Sequence, residues 1–252
     1  MRFIGTDRGF ARFDDDGVAH LLDAPPWAGG AETGERIARP TLRVPVAPTK
    51  IVCVGRNYRA HAEELGHDVP DEPLLFLKPP SALLGPEGDV RYPAASERVD
   101  HEGELAVVIG ARARDVRVED AARHVFGITC ANDVTARDLQ RKDVQFTRGK
   151  GFDTFCPVGP WIETEPPPLN AIRVIARLDG AVRQDGNTAA MIFPVPELIA
   201  FVSGIMTLEP GDLVLTGTPE GVGPMQPGQV VEVEVEGVGT LRNRIKSGSI
   251  VS

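Results

Sequence analysis

Glu102 and Glu104 stand two residues apart in the stretch VDHEGELAVVIG (99–110), with Asp100 two residues ahead of them. In an extended strand, residues two apart project to one side of the sheet. Three carboxylates would then repel one another at the mouth of an apolar run. A hard divalent cation removes that repulsion, because carboxylates with water are the donors that Mg²⁺ or Mn²⁺ prefers. Glu102 and Glu104, with Asp133 arriving at the end of ITCAND (128–133), are the expected set. A solvated sheet edge is the competing account. Acids also alternate in VEVEVEG (231–237), which reads as a plain solvent face.

His61 and Glu64 lie three apart on the helix expected over RNYRAHAEELG (56–66) and share a face. A carboxylate beside an imidazole raises its basicity and fixes its tautomer, as a general base for water requires. An exposed pair of no consequence has the same spacing. Lys78 in FLKP, Arg137 in DVTARDLQ and Lys150 in RGKGFDTF are cations that could face a bound carboxylate or enolate, or could be ordinary surface charges. Gln140 follows Arg137 by three residues, so the two could serve one ligand. TGTPEGVG (216–223) has neither the lysine of a P-loop nor the GxGxxG spacing, and CxxC, HExxH and GxSxG are absent.

The elements that must position these groups are mostly strands. KIVCVG (50–55), PLLFLKP (73–79), ITCAND, GDLVLTGTPEGVG (211–223) and GQVVEVEVEGVGTLRNRI (228–245) read as strands. AIRVIARLDGAVRQDGN (171–187) reads as a hairpin turning at Asp179-Gly180. Helical spacing appears over VEDAARHVFG (118–127), VTARDLQRKD (134–143) and VPELIAFVSGIM (195–206). Strands without a regular βαβ rhythm predict a strand-rich α+β fold. Residues 1–48 read as a small N-terminal β appendage, with a Pro/Gly/Ala-rich surface connector over residues 24–50, and 49–252 as the main domain.

The chain of 252 residues is 42% hydrophobic and 25% charged, with a formal charge of -9. That acidity excludes nucleic acid and anionic membranes as bulk partners but leaves room for a small anionic substrate. Cys53, Cys130 and Cys156 show no paired spacing and predict reduced, half-buried thiols. The charged start, with no long apolar run, predicts a cytoplasmic protein with no membrane span.

Seven motifs in order carry a resemblance: GRNYRAHAEE, FLKP, VDHEGELAVVIG, ANDVTARDLQ, KGFDTFCPVGPW, QDGNTAAMIFPVPELIAFVS and LEPGDLVLTGTPEGVG. Over residues 50–245 the chain resembles the fumarylacetoacetate hydrolase family. That resemblance implies a mixed β-sandwich roll with short helices, usually homodimeric. It implies Mg²⁺ or Mn²⁺ on Glu102, Glu104 and Asp133, and a lid pair, His61 and Glu64, that activates water. Lys150 would stabilise developing negative charge. Arg56, Tyr58, Lys78, Arg137 and Gln140 would stand on the substrate side, and Thr218 would bind a substrate carboxylate. His101 and Gly103 depart from the usual family residues and are expected on the opposite face. The short N-terminal part resembles compact members acting on acylpyruvates or on intermediates of aromatic catabolism. The implied activity is carbon–carbon hydrolysis of a 1,3-dicarbonyl 2-oxo acid through a metal-stabilised enolate. Oxaloacetate decarboxylation and 2-hydroxy-diene-dioate isomerisation would use the same site, and binding of a 2-oxo acid without turnover is the non-catalytic alternative.

Overall fold

The acidic stretch is two strands rather than one. In the computed structural model, which describes residues 1–64, 66 and 68–248, Glu102 separates Val99–His101 from Gly103–Ile109, and the two strands belong to different sheets. Val99–His101 is the centre of a three-stranded sheet, between Thr135–Ala136 and Gly223–Met225. Gly103–Ile109 lies inside an 11-stranded mixed sheet, between Val125–Asn132 and Leu213–Leu215.

Both faces of Gly103–Ile109 are covered, which is why its sequence is a continuous apolar run. Leu105, Val107 and Ile109 pack toward Val174, Val233 and Val235 of a five-stranded sheet, whereas Ala106 and Val108 pack with Ile51, Cys53, Val158 and Ile162. The five-stranded sheet contains the hairpin Arg173–Leu178 and Ala181–Asn187. Its approach requires Gly103, since a Cβ there would sit 3.1 Å from that of Ala176. Helix Val195–Ile205 buries Val195, Leu198, Ile199 and Val202, at the i, i+3, i+4, i+7 spacing of one helical face, and Val195, Ile199 and Val202 join the same core. The result is the strand-rich, mixed-sheet α+β architecture expected.

Several local expectations are corrected. The segment 24–50 is not all connector: Glu32–Ala38 is an edge strand, almost wholly exposed, so no apolar alternation marked it. The segment 118–127 is a 3-10 helix, Val118–His124, that gives way to strand at Val125. The three cysteines are fully rather than half buried. Burial pushes their thiols up, to about 12 for Cys130 and Cys156, so they stay protonated. The N-terminal strands have a small core of their own, Ile4, Ala11, Ala19 and Leu21. They also continue the large sheet, because Arg2–Thr6 pairs with Cys156–Glu163. Among the described residues no helix is long and apolar enough to cross a membrane.

One buried carboxylate ties the entry to strand Ile51–Gly55 to the segment before Leu213–Leu215. Asp212 accepts the backbone N–H groups of Thr49, Lys50 and Glu209 and the Thr49 hydroxyl, and it pairs with Lys50. Burial pushes its pKa up, but Lys50 and these donors outweigh it and hold the carboxyl below 3.8. A depressed carboxylate adds stability that is complete above its unfolded pKa and lost as pH falls through the folded value. Asp212→Ala is therefore expected to cost about 3 kcal/mol in urea unfolding at pH 7. The difference from wild type should shrink as the pH falls below about 4.

Candidate active site

The interruption at Glu102 exposes backbone groups that no ladder satisfies, and three side chains and one backbone N–H close them. Glu102 N–H donates to Asn132 Oδ1 at 2.9 Å, and Glu102 O accepts from Asp133 N–H at 2.8 Å. Gly103 N–H donates to Gln184 Oε1 at 2.9 Å, and Gly103 O accepts from the Thr218 hydroxyl at 2.9 Å. Buried backbone polar groups demand such partners. The interruption is thus fixed in place, and it brings ligand atoms of Glu102, Glu104 and Asp133 within 4.8 Å of one another, all three buried.

Cations surround two of these acids but not the third. Lys150 Nζ lies 2.7 Å from Glu102 Oε2 and 2.6 Å from Asp133 Oδ2. Arg137 reaches Glu102 through one nitrogen and Asp100 Oδ2 at 2.9 Å through another. Burial opposes ionisation of Glu102, yet Lys150 and Arg137 outweigh it and hold the carboxyl far below the usual range. Glu104 has no cation within 4.0 Å among the described residues and accepts only from Gly217 N–H, at 2.8 Å. Burial, then the charges of Asp133 and Glu102, push its pKa well above 4.5. Glu104 is therefore the one acid of the three with no cation paired to it among the described residues. Tyr58 Oη and His61 Nδ1 are also buried without a hydrogen bond. An all-oxygen set that includes a buried carboxylate with no cation beside it fits a hard divalent cation.

A cavity of about 290 Å³ opens above this floor. Of the expected site residues, Arg56, His61, Glu102, Glu104, Asp133, Arg137, Gln140, Lys150 and Thr218 line it. His61, on helix Arg59–Glu64, is buried, with Nδ1 3.5 Å from Glu64 Oε2. Burial lowers its pKa below 6.5, Arg137 adds to that, and Glu102 and Glu64 offset it only in part. Glu64 stands at the rim and accepts from Gly221 N–H, which ties the helix to the loop after Leu213–Leu215. Gln140 accepts from Arg137 at 2.7 Å, leaving its amide N–H₂ for the cavity. The hydroxyl hydrogen of Thr218 is already donated to Gly103 O, and its oxygen accepts from Gln184 at 2.7 Å.

Two expected substrate contacts lie elsewhere. Lys78 is buried behind Asp133, its ammonium 2.6 Å from Oδ1 and also donating to the carbonyls of Val134 and Lys150. Such a lysine braces Asp133, and it is not among the residues that line the cavity. Tyr58 is part of the apolar core, where burial and then the charges of Glu104 and Glu220 push its phenol well above its ordinary range. Asp100 is buried beside the site, held by Arg98 and Arg137.

Residues 50–246 match the family described as fumarylacetoacetate (FAA) hydrolase C-terminal. The chain belongs to the fumarylacetoacetate hydrolase family. Over 197 residues it is 48% identical to the mitochondrial oxaloacetate decarboxylase of Dictyostelium discoideum, covering 76% of this chain and 90% of that one. Over 251 residues it is 40% identical to the oxaloacetate tautomerase YisK of Bacillus subtilis, covering 92% and 83%. Among solved structures, the maleylpyruvate hydrolase of Sphingobium sp. SYK-6, in complex with manganese(II) ion and pyruvate, matches with a TM-score of 0.83 at 32% identity, covering 99% of this chain and 100% of that one. The chain is thus an enzyme of the fumarylacetoacetate hydrolase family.

Within the family frame, sequence reasoning missed the residues that hold the interruption open. Asn132 precedes Asp133 directly, and Gln184 opens QDGN, but neither type nor spacing announces a partner 30 or 81 residues away. Arg141 also lines the cavity. Its signal was present, one turn after Arg137 on the same helix.

Proposed function

We propose that the protein is a Mg²⁺- or Mn²⁺-dependent enzyme that takes oxaloacetate through its enolate, by tautomerisation or decarboxylation. One observation carries the reading: three buried carboxylates and a buried lysine form the floor of a cavity of only about 290 Å³. That volume is at the small end for ligand sites and suits a short 2-oxo acid. The decarboxylase and tautomerase relatives are named for oxaloacetate.

In this reading Glu102, Glu104 and Asp133 hold the cation. When bound, it supplies Lewis-acid polarisation of the 2-oxo group and its adjoining carboxylate. Lys150 has one ammonium donor beyond the two committed to Glu102 and Asp133, and turns it to the oxygen on which charge develops. Gln140 gives its free amide N–H to a substrate oxygen. His61, kept neutral by burial, accepts the proton from the carbon beside the oxo group and returns it, with Glu64 orienting the ring.

Hydrolysis of an acylpyruvate is the second reading, favoured by the same His61–Glu64 pair, which could instead take a proton from water. Incubating the metal-loaded protein with oxaloacetate, acetylpyruvate and fumarylpyruvate separates the two. Carbon dioxide and pyruvate, or enol–keto exchange without carbon loss, supports the first; a carboxylic acid and pyruvate supports the second. No change with any of the three would sink both. A homodimer, and the division at residues 48 and 49, belong to the same proposal.

The base role predicts a pH profile. His61 is active when neutral, so kcat/KM should fall as pH drops through its pKa, with a midpoint below 6.5. Glu64→Gln removes a charge that raises that pKa, so the acid limb should move further down while the plateau falls. A limb unmoved by that variant would argue against the pair.

A further inference from the structure

Most cations at the cavity are already committed. Arg137 binds Asp100, Glu102 and Gln140, and Lys150 binds Glu102 and Asp133. Arg56 and Arg141 also line the cavity, and among the described residues neither guanidinium has a carboxylate within 4.0 Å.

Arg56 is held where it stands. It follows the strand Ile51–Gly55 with φ 56°, a left-handed conformation that a non-glycine residue keeps only where its surroundings impose it. Asn57 imposes it. Its amide donates to the carbonyls of Phe193 and Thr216 and accepts from Phe193 N–H, at 2.8–3.0 Å. Gly217 packs so close that a Cβ there would meet that of Asn57 at 2.7 Å.

Arg141 stands one turn after Arg137 on helix Arg137–Lys142, on the same face and about 6 Å further along the axis. Arg137 touches the acidic floor, so Arg141 stands at a substrate's length from it. Two arginines on separate elements, each without a carboxylate partner among the described residues, line one cavity, and a guanidinium is the fork-shaped donor that captures a carboxylate.

We propose that Arg56 and Arg141 clamp a second, distal carboxylate, so that the site selects 2-oxo acids that are dicarboxylates over monocarboxylates of the same length. The inference rests on the reading of the cavity as a 2-oxo acid site. It assigns a selectivity to residues outside the floor, and that selectivity can be measured without turnover.

N-oxalylglycine and N-ethyloxamate share an oxalyl head and differ only in a distal carboxylate against a methyl group. Calorimetric titration of the Mn²⁺-loaded protein should show the diacid binding at least about tenfold more tightly. In Arg56→Gln and in Arg141→Gln that ratio should fall toward one through loss of diacid affinity alone. A wild-type ratio near one, or variants that weaken both ligands equally, overturns the clamp. Failure of both ligands to bind overturns the clamp and the 2-oxo acid reading together. Oxaloacetate turnover, followed alongside, separates the two ideas. A clear ratio without turnover keeps the clamp and removes the proposed reaction, and turnover without a ratio does the reverse.

Discussion

Glu104→Gln should lower turnover by at least about a thousandfold while leaving the metal-free protein as stable as wild type, or more stable. The two halves of this result have one cause. Glu104 is buried beside Asp133 and Glu102, and among the described residues no cation pairs with it; Lys150 offsets its charge only in part. A neutral amide of the same shape keeps an acceptor for Gly217 N–H and removes the repulsion. Relief of about 1 kcal/mol would raise Tm by about 2–4 °C in a chain of this size. The same change removes one of three anionic ligands, so Mn²⁺ affinity and the metal-induced rise in Tm should fall together. Thermal melts with and without Mn²⁺ check both. A metal-free variant much less stable than wild type would mean that Glu104 serves the fold rather than a cation.

Lys150→Met should behave in the opposite sense. Its ammonium bridges Glu102 and Asp133, and removing it leaves two buried acids short of a partner. Breaking a buried pair from one side costs about 3–5 kcal/mol, although Arg137 and Lys78 remain and favour the lower figure. The metal-free Tm should drop by on the order of 10 °C. Saturating Mn²⁺ should restore a larger share of that loss than it adds to wild type, because the freed carboxylates gain most from a cation. Turnover should fall about a hundredfold to a thousandfold, the usual effect of losing one electrostatic stabiliser at a reacting oxygen. A variant that melts with wild type would show that Glu102 and Asp133 do not depend on the ammonium.

The contrast between these two neighbours bears on what was legible beforehand. Residue type and order made Glu102, Glu104 and Asp133 candidates beside the solvated-edge account, and the family resemblance chose between the two. Type and order were not enough to tell which acid already has a cation, since Lys78 and Lys150 look alike in sequence. One lies behind Asp133 and the other lines the cavity, a difference set by tertiary packing. The alternation argument placed Glu102 and Glu104 side by side by an incomplete route. It assumed one strand, whereas the chain changes sheets between Val99–His101 and Gly103–Ile109. Glu32–Ala38 was illegible for a simpler reason: an exposed edge carries no period-two apolar signal.

The change of sheets at Glu102 also sets the order in which the site can come into being. Its backbone is closed by Asn132, Gln184 and Thr218, which lie 30, 81 and 115 residues along the chain. Contacts so distant form late, after the entropy of closing their loops has been met. A chain emerging from synthesis therefore has the acids of residues 99–104 long before it has the geometry that makes them a chelate. Cation capture should be among the last events of folding, and the rate at which Mn²⁺ becomes tightly held after dilution from denaturant would time the completion of the molecule.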